Sequence, residues 1–321
     1  MLTHDNPDPD AIAAAAAMRL LINKVVGIPA AIVYSGFLTR PENRQMVSLL
    51  HLRVHNIADV DLRRFRAYVL VDTQPSAGNN RLPAGQTPTG VVDHHRLRRA
   101  SLACPFRIVD KECGATSTLA YELLKAASIK PPSNIATALF FGIKTDTLDL
   151  GREAAQRDID AYKELFNLAN HRTLSGITHP RLPEEYYQVV HRAVHSALIY
   201  GNCIHADLGD VPTPEYVSVV ADYVAALDGL RWAVSTGVYK QNLYFSLRTL
   251  TARKDAGRIL RRAIGKHGFA GGHQKMAGGL LLLADLPPDQ RPVLTEKVIS
   301  SLLSSLSANT SAARPLLSPP Q

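Results

Sequence analysis

The chain reads as an α/β protein in two parts: an N-terminal parallel-sheet domain and a smaller C-terminal α/β domain with a mixed sheet, with an active-site cleft expected between them. Three observations predict this. Residues 30–34, 68–71 and 90–92 are short apolar runs without strict alternation, which suits strands covered on both faces. Helical runs at 11–18, 42–52, 117–127 and 136–143 fall before, between and after them, the order of a parallel sheet with crossover helices. Further on, residues 232–239 and 242–247 alternate about Lys240-Gln241, the pattern of an antiparallel pair.

The length of 321 residues, 46% of them hydrophobic, is enough for a sizeable core and suits two domains better than one. The expected division is 1–155 for the first domain, 156–205 for a helical connector, 206–304 for the second domain and 305–321 for a disordered tail rich in serine, alanine and proline. A formal net charge of +8 favours anionic partners such as nucleotides, phosphate esters or nucleic acid. The three cysteines, Cys104, Cys113 and Cys203, form no C-x-x-C pair or disulfide framework, which fits a reducing, cytoplasmic setting with buried thiols. No run approaches the ~18 apolar residues a membrane span needs, and no basic-then-apolar leader opens the chain.

The opening stretch, Thr3-His4-Asp5-Asn6-Pro7-Asp8-Pro9-Asp10, places three aspartates and a histidine in one turn ahead of an alanine-rich helix. Unpaired burial would cost each carboxylate several kcal/mol, roughly, so the turn is either solvated or holds something cationic. Pro7 and Pro9 fix φ on alternate residues and leave Asp8 and Asp10 little backbone freedom. The alanines from Ala13 to Ala17 allow close approach of this helix to the sheet. Only Met1-Leu2-Thr3 precede His4, a poor strand, so either the first strand is a stub or the chain begins later than a complete homologue would.

Two later runs also end in ligand-type side chains: Tyr-Val-Leu-Val before Asp72, and Val-Val before Asp93-His94-His95. Carboxyl ends of such strands are where open α/β sheets place their active sites. Gly114-Ala115-Thr116-Ser117 opens a helix with small residues, where an oxyanion or a plain N-cap would fit equally well. Asp146 ends the next apolar helix. His171, His179, His191 and His195 lack this acidic company and read as solvated or packed side chains.

In the second half, eight basic residues lie between Arg248 and Lys275 against the single Asp255, which reads as an electrostatic trap for polyanions. Arg248, at a strand end, is the leading phosphate contact. Gly271-Gly272-His273 sits in a glycine-rich stretch whose amides a phosphate could approach. The stretch after Lys275 is expected to be helical, with a short closing strand at 280–283.

These motifs, in this order, resemble the DHH phosphoesterase superfamily, named for the triplet seen here as Asp93-His94-His95. The closer likeness is to its small bacterial two-domain, nanoRNase-like members, which cleave very short oligoribonucleotides and dephosphorylate 3'-phosphoadenosine 5'-phosphate. The resemblance spans roughly residues 1–305, and it implies two Mn²⁺ ions, with Mg²⁺ or another divalent ion as a substitute. One would be held by His4, Asp8 and Asp72; the other by Asp10, Asp72, His94 and Asp146, with Asp72 bridging. Carboxylate and imidazole ligands without thiolate suit such ions. Two ions ~3.5–4 Å apart can share and activate a water. Asp93 would orient a histidine, and His95 would contact the scissile phosphate. Arg248, Gly271, Gly272 and His273 take the family's substrate-binding positions.

The implied function is a manganese-dependent phosphoesterase acting on short oligoribonucleotides, 3'-phosphoadenosine 5'-phosphate, or both. The 6% aromatic content offers no row of stacking rings for a long single strand, which favours short substrates. The alternatives are a cyclic or linear dinucleotide phosphodiesterase, an exopolyphosphatase-like hydrolase, or a non-catalytic nucleotide- or RNA-binding protein. Homodimerisation is compatible with the family, though nothing in the sequence marks an interface.

Overall fold

Met1-Leu2-Thr3 is too short for a regular strand, yet it is the seam of the first sheet. In the computed structural model, which describes every residue except 39, 252–253, 273–274, 307–312 and 318–321, Leu2 forms parallel bridges to Val33 on one side and Leu70 on the other. Its amide donates to Val69 O at 2.8 Å, and its carbonyl accepts from Val71 N at 3.0 Å. The backbone groups of this short stretch are paired on both sides, with Thr3 N donating to Val33 O at 3.2 Å.

The chain divides into two compact units, Met1–Arg181 and Leu182–Gln321. The first runs α1 (Pro9–Val25), β1 (Ile32–Tyr34), α2 (Pro41–Leu49), β2 (Val54–Asn56), β3 (Val69–Val71), β4 (Gly90–Asp93) and β5 (Phe106–Val109). Helices α3 (Thr116–Ala126), α4 (Ser133–Asp146), α5 (Gln156–Phe166) and α6 (His171–Thr178) follow. Pairing is parallel throughout, β2–β1 and β3–β4–β5, with Leu2 joining the two pieces. Alternate strand residues face opposite ways. Ile32, Val71 and Val92 join α1, α3 and α4 in one core, while Val33, Leu70 and Val91 join Leu2, Tyr68 and Cys104 on the other face. Ala13, Ala14, Ala15, Ala16 and Ala17 are all at most 1% exposed, because methyl side chains let α1 lie close to both α3 and α4.

The second unit runs α7 (Glu184–Ser196), β6 (Leu198–Tyr200), β7 (Cys203–Asp210), α8 (Glu215–Ala225), β8 (Trp232–Tyr239) and β9 (Asn242–Thr249). It continues through α9 (Ala256–Ile264), β10 (Gly268–Gly272), β11 (Met276–Leu281), α10 (Gln290–Leu306) and β12 (Ala313–Pro315). Its sheet is mixed, in the order β10-β11-β9-β8-β7-β6-β12, with β7 and β8 parallel and the other pairs antiparallel. One core gathers α9 and α10, the other α7 and α8.

Several expectations change here. The stretch after Lys275 is strand β11, not helix: Gly278 and Gly279 are poor helix formers, and β9 and β10 offer a ladder on either side. A Cβ at Gly279 would sit 2.5 Å from Ile264 Cδ1, so this glycine admits α9 against the sheet. Gly271 and Gly272 pair with Gly278 and Ala277 rather than forming an open loop. As part of an edge strand they still leave alternate backbone groups unladdered. The 156–205 connector is not a body of its own: α5 and α6 belong to the first unit, and α7 and β6 to the second. Helix α6 is capped by Asn170, whose side chain accepts from Thr173 N. The expected disordered tail carries β12, which pairs antiparallel with β6 through backbone groups that composition does not reveal. No described helix is long and apolar enough to cross a membrane, and all three cysteines are free and buried.

Because α1 is packed on methyl groups, replacing Ala14 with Leu should lower stability by about 1–3 kcal/mol through overpacking alone. Urea unfolding would show a lower midpoint with little change in slope. An unchanged midpoint would mean that α1 has slack against α3 and α4.

Candidate metal centre

Asp8 is the N-cap of α1: its Oδ1 accepts from Ala11 N at 2.9 Å, and Pro9, at the first helical position, has no amide to satisfy. Asp10 lies in the first turn of the same helix, 1% exposed, but its donors belong to another element. Thr116 N reaches its Oδ2 at 2.7 Å and Ser117 N its Oδ1 at 2.8 Å, so the free amides of the α3 N-terminus hold this carboxylate. The Thr116-Ser117 turn, where an oxyanion and a plain N-cap stood as equal alternatives, thus holds the protein's own Asp10. Gly142 on α4 makes room for it: a Cβ there would lie 2.4 Å from Ser117 Oγ and 3.1 Å from Asp10 Cα.

Asp72 follows β3 with φ +58°, a left-handed conformation that aspartate tolerates better than most side chains. The turn aims its carboxylate into the centre of the cluster. Oδ1 accepts from Thr116 Oγ1 at 2.7 Å, while His4 Nε2 is 3.4 Å from Oδ2 and His94 Nε2 3.7 Å from Oδ1. Asp146, at the end of α4, has Oδ2 3.1 Å from His94 Nε2, and Arg152 stands 3.6 Å from its Oδ1.

The two inward histidines are oriented alike. His4 Nδ1 donates to Asp5 O at 2.9 Å, and His94 Nδ1 donates to Cys113 O at 3.2 Å. Since a carbonyl can only accept, each neutral ring presents a bare Nε2 to the cluster, as a metal-ligating imidazole does. His95 is 58% exposed in its side chain, and its Nδ1 is 2.8 Å from Asp93 Oδ1. Asp93 is in turn held by Gln74 Nε2 at 2.6 Å.

Ligand atoms within 4.8 Å of one another form three groups: His4, Asp8 and Asp72; Asp10, His94 and Asp146; and Asp72, His94 and His95. The structure therefore brings all six expected ligands together, with Asp72 shared between groups. The third group also draws in His95, which the sequence reading kept free of metal.

Electrostatics show the strain of this crowding. Burial, with the charges of Asp72 and Asp146, pushes Asp10 well above the usual carboxylate range. Burial also raises Asp146, and Asp8 and Asp72 add to it, to about 7 despite His94 and Arg152. Burial would lower the histidines. Bonds and charges from Asp72 and Asp8 nevertheless raise His4 well above its ordinary value, and Asp72, Asp146 and Asp10 raise His94. Burial is also the largest single influence on His95, but its bond to Asp93 and the charges of Asp72, Asp93 and Asp146 together raise it to about 9. The cluster thus holds more negative charge than its own protons comfortably balance, and an oxygen- and nitrogen-only donor set suits a hard or borderline divalent cation.

Two supporting residues escaped the sequence reading. Gln74 lies two positions after Asp72, where a strand-end motif gives some hint of it. Asp158 gives no local hint. Fully buried on α5, it accepts from Gly114 N and Ala155 N at 2.8 Å and from Thr118 Oγ1 at 2.6 Å, and so anchors the turn that opens α3.

The substrate positions are placed less completely. Arg248 pairs with Asp222, and its Nη1 donates to Ser246 Oγ at 2.8 Å and Leu247 O at 3.2 Å, so its guanidinium is engaged inside the second unit. Gly271 and Gly272 lie on β10. His273 lies outside the described residues, as does Arg253 of the basic stretch.

Comparison with known proteins agrees with this geometry. The DHH family, N-terminal domain, matches residues 1–143. An uncharacterized protein of Methanocaldococcus jannaschii is 31% identical over 285 residues, 88% of this chain and 58% of that protein. A "probable manganese-dependent inorganic pyrophosphatase" of Streptococcus agalactiae is 26% identical over 168 residues, 52% of this chain and 54% of that protein. The chain thus spans a little over half the length of these curated relatives. Among solved structures, an exopolyphosphatase-related protein of Bacteroides fragilis superposes with a TM-score of 0.67 over 95% of this chain and 92% of that one, at 14% identity, which is a likeness of fold.

If the Thr116 hydroxyl sets the Asp72 carboxylate, Thr116→Val should weaken Mn²⁺ binding about 10–100-fold. Calorimetric titration of the metal-free protein measures this. Unchanged affinity would show that the backbone turn alone positions Asp72.

Proposed function

Because residues 1–143 belong to the DHH family, we propose that the chain is a divalent-metal-dependent phosphoesterase of short, phosphate-rich substrates: short oligoribonucleotides, 3'-phosphoadenosine 5'-phosphate, or both. The observation that carries the reading is the convergence of His4, Asp8, Asp10, Asp72, His94 and Asp146, with the Nδ1 of both inward imidazoles held on backbone carbonyls and Nε2 turned into the cluster. On this reading His4, Asp8 and Asp72 would hold one Mn²⁺, and Asp10, Asp72, His94 and Asp146 a second. Bound there, the ions would acidify a shared water and offset charge on the phosphate.

The chain's own side chains prepare that site. Thr116 and Ser117 hold Asp10, and Thr116 Oγ1 holds Asp72. Asp93 fixes the His95 ring with its Nδ1 side turned inward, leaving Nε2 for the phosphate or its leaving oxygen. Kept protonated by its carboxylate neighbours, His95 would donate a hydrogen bond or a proton there. Arg248 would contact substrate by trading Asp222 for a phosphate. Phe269, 69% exposed on β10, offers a ring for a base. A second reading, hydrolysis of pyrophosphate or polyphosphate, draws on the name of the streptococcal relative and on the same basic charge.

The metal-free protein should turn over none of these substrates, and added Mn²⁺ should restore activity, with EDTA abolishing it again. Rates of hydrolysis, followed as phosphate from 3'-phosphoadenosine 5'-phosphate and pyrophosphate and as nucleotide products from RNA dinucleotides and linear and cyclic di-AMP, would rank the substrates. Asp72→Ala should reduce turnover by at least about a thousandfold, a rise of roughly 4 kcal/mol in the barrier. Activity that survives both EDTA and Asp72→Ala would exclude the metal-dependent mechanism.

A further inference from the structure

Two loops follow the ligand-bearing strands at the carboxyl edge of the first sheet: 73–89 after β3 and 94–105 after β4. Together they contain Arg81, Arg96, Arg98 and Arg99 and no aspartate or glutamate. This lopsided charge borders a centre built from acids, yet the phosphoesterase reading uses none of the four.

The second loop is held in place from beneath. Gln74, 1% exposed, donates from Nε2 to Asp93 Oδ2 at 2.6 Å and to Arg96 O at 3.1 Å. Its Oε1 accepts from Arg98 N and from Ser101 Oγ, each at 2.8 Å. One buried amide thus ties the loop's backbone to the carboxylate that orients His95. Arg98 Nη1 donates to Ser76 O at 3.2 Å and joins the two loops. Arg81 stands 3.4 Å from Asp5, beside the opening turn. Arg96 and Arg99 are exposed, and their side chains have no hydrogen-bond or ion-pair partner among the described residues. The backbone of Arg96, one residue from His95, and of Arg98, next to Arg99, is thereby fixed by a buried amide.

We propose that Arg96 and Arg99, steadied by Arg98 and flanked by Arg81, form a subsite for a phosphate group beyond the one being cleaved. Each guanidinium can grip a phosphate through paired N–H donors. The ions would serve the scissile group, and this loop would neutralise the next phosphate along the substrate. The inference rests on the phosphoesterase reading and adds to it a preference for substrates with at least two phosphates. That second phosphate belongs either to a nucleotide or to an inorganic chain.

The test compares wild type with the Arg96→Gln/Arg99→Gln double variant, both loaded with Mn²⁺, and uses Arg63→Gln as a control at an arginine 91% exposed beside Asp61. The variant's KM should rise about tenfold for substrates with two or more phosphates, with kcat within about twofold. Its kinetics on bis(p-nitrophenyl) phosphate, which has one phosphate, should stay at the wild-type level. Raising salt from about 50 to 300 mM should raise the wild-type KM and affect the variant less. A rise confined to 3'-phosphoadenosine 5'-phosphate and pApA assigns the second phosphate to a nucleotide; one confined to pyrophosphate and tripolyphosphate assigns it to a chain. An equal change for one-phosphate and multi-phosphate substrates, or no change, overturns the subsite. If wild type turns over nothing, the phosphoesterase reading fails by itself. Calorimetric binding of the same multi-phosphate compounds then decides the subsite, which requires weaker binding by the double variant than by wild type.

Discussion

A carboxylate taken out of water must be met by donors, and Asp10 is where this protein meets that demand. Its two oxygens cap the first amides of α3 while its backbone belongs to α1, and Gly142 of α4 lies against its Cα. One buried anion therefore joins three helices and fixes the depth at which α1 lies. Since Asp8 caps α1, and Thr116 both caps Asp10 and holds Asp72, the opening turn and the β3 end are set by the same contact. Asp158 extends the arrangement outward by gripping the turn before α3.

The parallel sheet makes the crowding possible. Its strands all deliver their carboxyl ends to one edge, so Asp72 and Asp93 arrive together without long loops. The arrangement is electrostatically unfavourable by itself: burial and mutual repulsion raise Asp10 and Asp146 and draw protons onto the histidines. Divalent cations are the natural counter-charge for such a set. The surrounding loops carry arginines with no acids among them, so the same edge combines a strongly anionic centre with a cationic rim.

In the second unit, glycines serve packing before recognition. Gly257 and Gly279 allow α9 to sit against β10 and β11: a Cβ at Gly257 would lie 2.6 Å from Gly272 O. The basic residues of α9 follow the same economy. Arg258, Arg261 and Arg262 face solvent while Leu260 and Ile264 fill the core.

The sequence by itself determined the fold class, the strand-end positions of Asp72 and Asp93-His94-His95, the alanine face of α1 and which carboxylates and imidazoles were candidates for one cluster. These are local matters: periodicity, turn-formers and ligand-type side chains lie close together in the chain. It misjudged the stretch after Lys275, it did not show strand β12, and it left open the role of the Thr116-Ser117 turn. Tertiary structure decided those, because each depends on a partner distant in sequence: β9 for β11, β6 for β12, and Asp10 for the amides of α3. Composition can show that a backbone amide or a glycine is available, but the fold determines which carboxylate, strand or helix meets it.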